Sequence, residues 1–111
     1  MSTDLVTDVE HLKLRLEWGS PGFTIVDVRD RHTYNHGHIT GAIQIPLDEL
    51  AQKAHTALHK GRQIYVYGDN KEQSTRAVFI LRGAGFPDAV EIQGGYHAWK
   101  SIGGATEGEA A

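Results

Sequence analysis

Residues 64–78 join a run of β-formers to a helical repeat through a loop only a few polar residues long, and few architectures accommodate that passage. Tyr65, Val66 and Tyr67 continue Ile64 in an apolar run of buried-strand length. From Ala77, apolar residues return at helical spacing as Ala77, Val78, Ile80, Leu81 and Ala84. Between the two lies Gly68-Asp69-Asn70-Lys71-Glu72-Gln73. Such a loop aims backbone N–H groups and the positive end of a helix at one point, which suits an anion or a thiolate. Yet the loop opens on Gly68, which has no side chain to react.

The rest of the chain repeats the alternation. Thr7-Asp8-Val9-Glu10 reads as a capping box with Thr7 as N-cap. Val9, Leu12 and Leu16 then mark one helical face, and Trp18 is expected to close that helix against a sheet. Gly19-Ser20-Pro21-Gly22 turns the chain into a buried strand over 23–28. A polar stretch with one helical turn leads through His38 and Gly41 to a short strand over 43–45, stopped by Pro46. Asp48 is positioned to cap a helix reaching about Leu58, with Leu50, Ala54 and Leu58 on one face. The helix after the loop ends near Gly83-Ala84-Gly85, where a glycine takes the left-handed position. A strand over 89–92, a Gly94-Gly95 turn and a short helix over 96–102 complete the pattern. Residues 103–111 are small and polar and are expected to form a flexible tail.

Strands alternating with helices predict an α/β fold: a mainly parallel central sheet of about five short strands with helices on both faces. The 111 residues suit one domain, with a core over about 5–102. In such sheets ligands collect outside the carboxyl ends of the strands. Three segments meet at that rim: 27–30, 68–73 and 93–97. The loop, Asp27 with Arg29, and the Gly94-Gly95 turn are therefore expected to be neighbours.

Charge and composition exclude several functions. With 40% hydrophobic and 23% charged residues the chain is expected to be a soluble globular protein. The net charge of -3 and the lack of a basic stripe argue against nucleic-acid binding. No apolar run approaches the roughly 18 residues of a membrane span, and Met1-Ser2-Thr3-Asp4 does not resemble a signal peptide, so the expected location is cytoplasmic. The absence of cysteine excludes disulfides, thiolate metal sites and cysteine catalysis by this chain.

In order and spacing, several segments resemble a single rhodanese-like (sulfurtransferase) domain. They are Asp27-Val28-Arg29-Asp30, Tyr34 with Gly37-His38-Ile39-Thr40-Gly41-Ala42-Ile43, Leu81-Arg82-Gly83-Ala84-Gly85-Phe86, and Gly94-Gly95-Tyr96-His97-Ala98-Trp99. The strand over 64–67 resembles the one before that family's catalytic loop. The resemblance implies a three-layer sandwich. It also implies that a cysteine would follow the strand, accept a sulfur atom from a donor such as thiosulfate, and hold it as a persulfide. That position is Gly68 here. Gln73 stands where the family often has arginine, and Ser74 fits the serine that opens the next helix.

Nothing else in the loop replaces a thiol. Sulfur transfer needs a soft nucleophile that forms and breaks an S–S bond, and an unactivated Ser74 or Thr75 hydroxyl does not hold a persulfide. Asp69 and Glu72 outnumber Lys71, which weakens the loop's field for an anion. Ser74 reads as a helix cap or first-turn residue. Gly68 reads as a place of close backbone approach, whose neighbouring amides need water, an anion, or the Asp69 or Asn70 side chain. Asp27 and Arg29 read first as a structural pair and second as ligand-positioning groups. Trp99 reads as core. The seven histidines include His32/His36 and His55/His59 at i, i+4, but without the His-Glu-x-x-His pattern they do not make a convincing metal site. The expectation is a rhodanese-like domain without intrinsic sulfurtransferase activity and without cofactor. It would bind a protein partner or a small anion at the 68–73 loop, as a monomer or weak dimer. The alternatives are an enzyme using a partner's thiol or another catalytic group and, more weakly, a metal-binding protein.

Overall fold

The computed structural model describes residues 5–19 and 22–109. The element order is β1 (Val6–Thr7), α1 (Val9–Glu17), β2 (Phe23–Asp27), α2 (Arg31–His36), β3 (His38–Ile39) and β4 (Ile43–Gln44). A 3-10 turn (Leu47–Glu49) and α3 (Leu50–Ala57) follow. Then come β5 (Gln63–Tyr67), α4 (Lys71–Gly83), β6 (Ala89–Ile92), α5 (Gly95–Ser101) and β7 (Thr106–Glu107). Five strands form one parallel sheet in the order β1-β6-β5-β2-β4. β5 lies at its centre, which explains the apolar run over 64–67: both of its faces are covered.

Alternation along β5 divides the core in two. Ile64 and Val66 point to one side, where they pack with Leu50 and Ala54 of α3 and Ala77, Val78 and Leu81 of α4. Tyr65 and Tyr67 point to the other, with Leu12 of α1, Ile92 and Trp99 of α5. The layers are thus helix, sheet, helix, as the sequence predicts. No helix among the described residues is long and apolar enough to cross a membrane.

Several local expectations are corrected. Asp8, not Thr7, caps α1, accepting from the His11 N–H at 2.7 Å, while Thr7 pairs with Ile92 in the sheet. Leu16 and Trp18 do not pack on the sheet; they are 46% and 73% exposed. Asp48 does not cap α3, because the 3-10 turn precedes that helix and its N-cap is Glu49, whose side chain makes no capping hydrogen bond and pairs with Lys53 instead. Ser20 and Pro21 of the predicted turn lie outside the described residues.

Residues 103–109 also differ from the expected loose tail. β7 pairs antiparallel with β3, Trp99 Nε1 donates to the Ala105 carbonyl at 2.8 Å, and Glu109 N–H reaches Asn35 O at 2.9 Å. A β-carbon on Gly104 would overlap the Trp99 indole, so only glycine lets this segment lie so close. Trp99 itself is core, as expected, at 1% exposure.

Candidate functional site

The carboxyl ends of β2, β5 and β6 bring the three predicted segments together around a cavity of about 250 Å³. Arg29, the 68–71 part of the loop, Ser74, and residues 93–97 line it, joined by Thr33 of α2 and Glu91 of β6.

The loop is built from its own side chains. Asn70 caps α4, its Oδ1 accepting from the Gln73 N–H at 2.8 Å. Ser74 is therefore not the cap but a buried residue of the first turn, and its Oγ accepts from the Gly68 N–H at 2.9 Å. Gln73 folds back so that its Oε1 accepts from the Asp69 N–H at 2.6 Å. The Gly68, Asp69 and Gln73 amides are thus taken, by Ser74, Gln73 and Asn70 in turn; the Asp69 side chain plays no such part. Gly68 is buried, and its φ lies outside the positive range. A β-carbon there would meet the Gln73 side chain, with Cγ and Cδ at 3.0 Å. The Gln73 amide fills the space where a side chain at residue 68 would start.

Asp27 and Arg29 form a buried, forked pair. Arg29 Nε donates to both Asp27 oxygens at 3.0 and 3.1 Å, and Nη2 donates to Oδ2 at 2.7 Å. Nη2 also donates to the Gly37 carbonyl at 2.7 Å, tying the segment after α2 to the rim. The guanidinium lies 5.2 Å from the Tyr67 ring centroid and 5.0 Å from that of Tyr96. Burial works against its charge, but the hydrogen bonds and field of Asp27 outweigh this and hold its pKa above the ordinary value. Burial, reinforced by Asp27, also pushes the Tyr67 phenol far up, so it stays neutral and accepts from the Ile39 N–H at 3.0 Å.

Gly94 and Gly95 both take positive φ, +79° and +58°. The place of a Gly95 β-carbon is only 3.6 Å from the Gly68 carbonyl, so the turn packs directly on the loop.

Glu91 escaped the sequence reading. It is 2% exposed, and its Oε1 accepts from Thr75 Oγ1 at 2.7 Å and Lys71 Nζ at 3.3 Å. Its signal was one charged residue inside an otherwise apolar strand.

The histidine pairs stand apart from the cavity's lining, and among the described residues no group of three or more His, Asp or Glu side chains could hold a metal. His38 donates from Nδ1 to the Tyr34 carbonyl at 2.7 Å and stacks on the Tyr34 ring, a structural role.

Comparison with known proteins matches this geometry to a family. The family model described as a rhodanese-like domain covers residues 8–102. The thiosulfate sulfurtransferase GlpE of Pseudomonas entomophila is 33% identical over 97 residues, 86% of this chain and 84% of that protein. The uncharacterized protein YqhL of Bacillus subtilis is 33% identical over 75 residues; the match takes in 68% of this chain and 59% of YqhL, little more than half of that relative. A crystal structure of the Alr3790 protein from Anabaena sp. superposes with a TM-score of 0.89 at 54% identity, covering 95% of this chain and 94% of that one. The chain belongs to the rhodanese-like domain family and, with no cysteine in its 111 residues, is a sulfurtransferase relative without the sulfur-accepting thiol.

Proposed function

We propose that this domain is a binding module that does not itself transfer sulfur, with its partner engaging the cavity beside the 68–73 loop. The observation that carries the reading is the pairing of Gly68 with Gln73. Residue 68 offers no nucleophile, and the Gln73 side chain occupies the start of the missing one. A persulfide needs a soft thiolate, and no group lining the cavity supplies one. The loop's Gly68, Asp69 and Gln73 amides are bonded internally, which takes three of its donors away from a small anion.

The test is thiosulfate-to-cyanide transfer by pure protein. Thiocyanate formation no faster than a no-protein control is expected, and turnover well above it would overturn the reading. The rival is an enzyme that works on a thiol brought by a partner. It draws on the cavity itself, which lies open beside a residue with no side chain. If added low-molecular-weight persulfide makes the protein accelerate thiocyanate formation, the rival replaces the binding reading.

A further inference from the structure

Glu91 is nearly enclosed, yet it is satisfied on one oxygen only. Thr75 Oγ1 and Lys71 Nζ both contact Oε1. Among the described residues no hydrogen-bond partner meets Oε2. Every fully enclosed side-chain oxygen or nitrogen among those residues does have a partner. Oε2 therefore reaches accessible space, and the space that Glu91 lines is the cavity beside Gly68. A carboxylate removed from water is costly unless its charge and lone pairs are matched.

The surrounding charges leave that match incomplete. Arg29 is answered by Asp27 and the Gly37 carbonyl. Lys71 is the cation nearest Glu91, but its contact is 3.3 Å and its side chain is 74% exposed. Such an arm leaves its partner at little cost. Asp69 adds a further negative charge to the wall. With Arg29 matched by Asp27, the charges left on the wall are Lys71 against Glu91 and Asp69, a balance of one negative charge that disfavours a dianion and favours a cation. Arginine's planar fork is best met by two adjacent oxygens, and Glu91 has one to offer. A compact ammonium, with donors that fit a single oxygen, suits the site better.

We propose that the cavity binds a primary ammonium group on Glu91 Oε2, with Lys71 acting as a tethered competitor for the same carboxylate. This rests on the binding-module reading and adds the chemistry of the ligand. The ammonium can come from a lysine side chain of a partner protein or from a free small amine.

The experiment titrates the isotope-labelled full chain by NMR with three probes: butylamine, Nα-acetyl-lysine methylamide, and the same compound acetylated on Nε. Both ammonium probes should give saturable shifts of the Ile92, Gly94 and Gly95 amides, and the Nε-acetylated probe should give none. Tighter binding of the lysine compound than of butylamine assigns a protein lysine; equal binding assigns a free amine. Glu91→Gln should weaken binding about tenfold or more, by loss of a buried charge partner. Lys71→Gln, at an exposed position, should tighten it about threefold by removing the competitor. Absence of saturable shifts, equal binding of the acetylated probe, or unchanged affinity in either variant overturns the proposal. Silent probes with a silent thiocyanate assay defeat this proposal alone, whereas thiosulfate turnover defeats the reading beneath it.

Discussion

Replacing Gly68 by cysteine should destabilise the fold by about 1 kcal/mol and set a thiol where the Gln73 amide now lies. The new β-carbon meets Gln73 Cγ and Cδ at 3.0 Å, and both belong to a flexible side chain that swings aside. Backbone strain adds nothing, because Gly68 is not among the positive-φ glycines. What is lost is the Asp69 N–H bond to Gln73 Oε1, 2.6 Å long. A net hydrogen bond is worth about 0.5–1.5 kcal/mol, or about 4 °C in Tm for a domain of this size. Gln73→Ala breaks the same bond, so the two changes should not add. The double variant should cost little more than either single one, a coupling of about 1 kcal/mol in urea denaturation. Additive costs, or a cysteine variant as stable as the parent, would refute the Gln73 argument. The chemistry is read by mass spectrometry after thiosulfate treatment, when the thiolate takes the sulfane sulfur and sulfite departs. One charge pair at 4 Å is worth about 1 kcal/mol in water, so a dianion near Glu91 feels about twice that, a factor of about thirty. Persulfide should therefore form slowly in Gly68→Cys and markedly faster when Glu91→Gln is added. Equal rates in the two would remove the electrostatic part of the reasoning.

Three further outcomes follow from the same contacts. Asn70→Ala removes the α4 cap and should lower stability by about 1 kcal/mol, measured as a shift in the denaturation midpoint with unchanged slope. Tyr67→Phe leaves the Ile39 N–H without its partner inside the core and should cost about 1–3 kcal/mol, read by thermal melting. Asp30 caps α2, and hydrogen bonds from Thr33 hold its carboxyl below the ordinary 3.8. Its folded pKa is depressed, so its contribution is present above 3.8 and disappears as pH falls through the lower folded value. Asp30→Asn, which caps without titrating, should flatten the acid limb of stability against pH and leave neutral-pH stability nearly unchanged; an unaltered acid limb would contradict this.

The sheet was legible in the sequence where burial alone dictates residue type. The 64–67 run is apolar throughout because β5 is covered on both faces. The meeting of Arg29, the loop and Gly94-Gly95 was legible too, since parallel topology sends all three strand ends to one edge. Illegible features depended on distant partners. Thr7 and Asp8 offer the same capping chemistry, and only the pairing of Thr7 with Ile92 decides between them. β3 and β7 are two residues each, too short for any period, and meet across most of the chain. Trp18, the C-cap residue of α1, is 73% exposed, which apolar type alone does not reveal. Glu91 was visible as a charge in an apolar strand, but α4 packing, not local sequence, delivers Thr75 and Lys71 to it.

The forked Arg29 pair makes the two sides of the cavity unlike. One side is pinned by Asp27, the Gly37 carbonyl and two aromatic rings, so it keeps its outline whether or not anything is bound. The other carries Lys71, whose side chain is 74% exposed and held by one long contact to Glu91. Discrimination by shape therefore falls to the first side, while differences in bulk among visitors are absorbed at the second. Successive complexes should superpose closely around Arg29 and Tyr96 and diverge at Lys71.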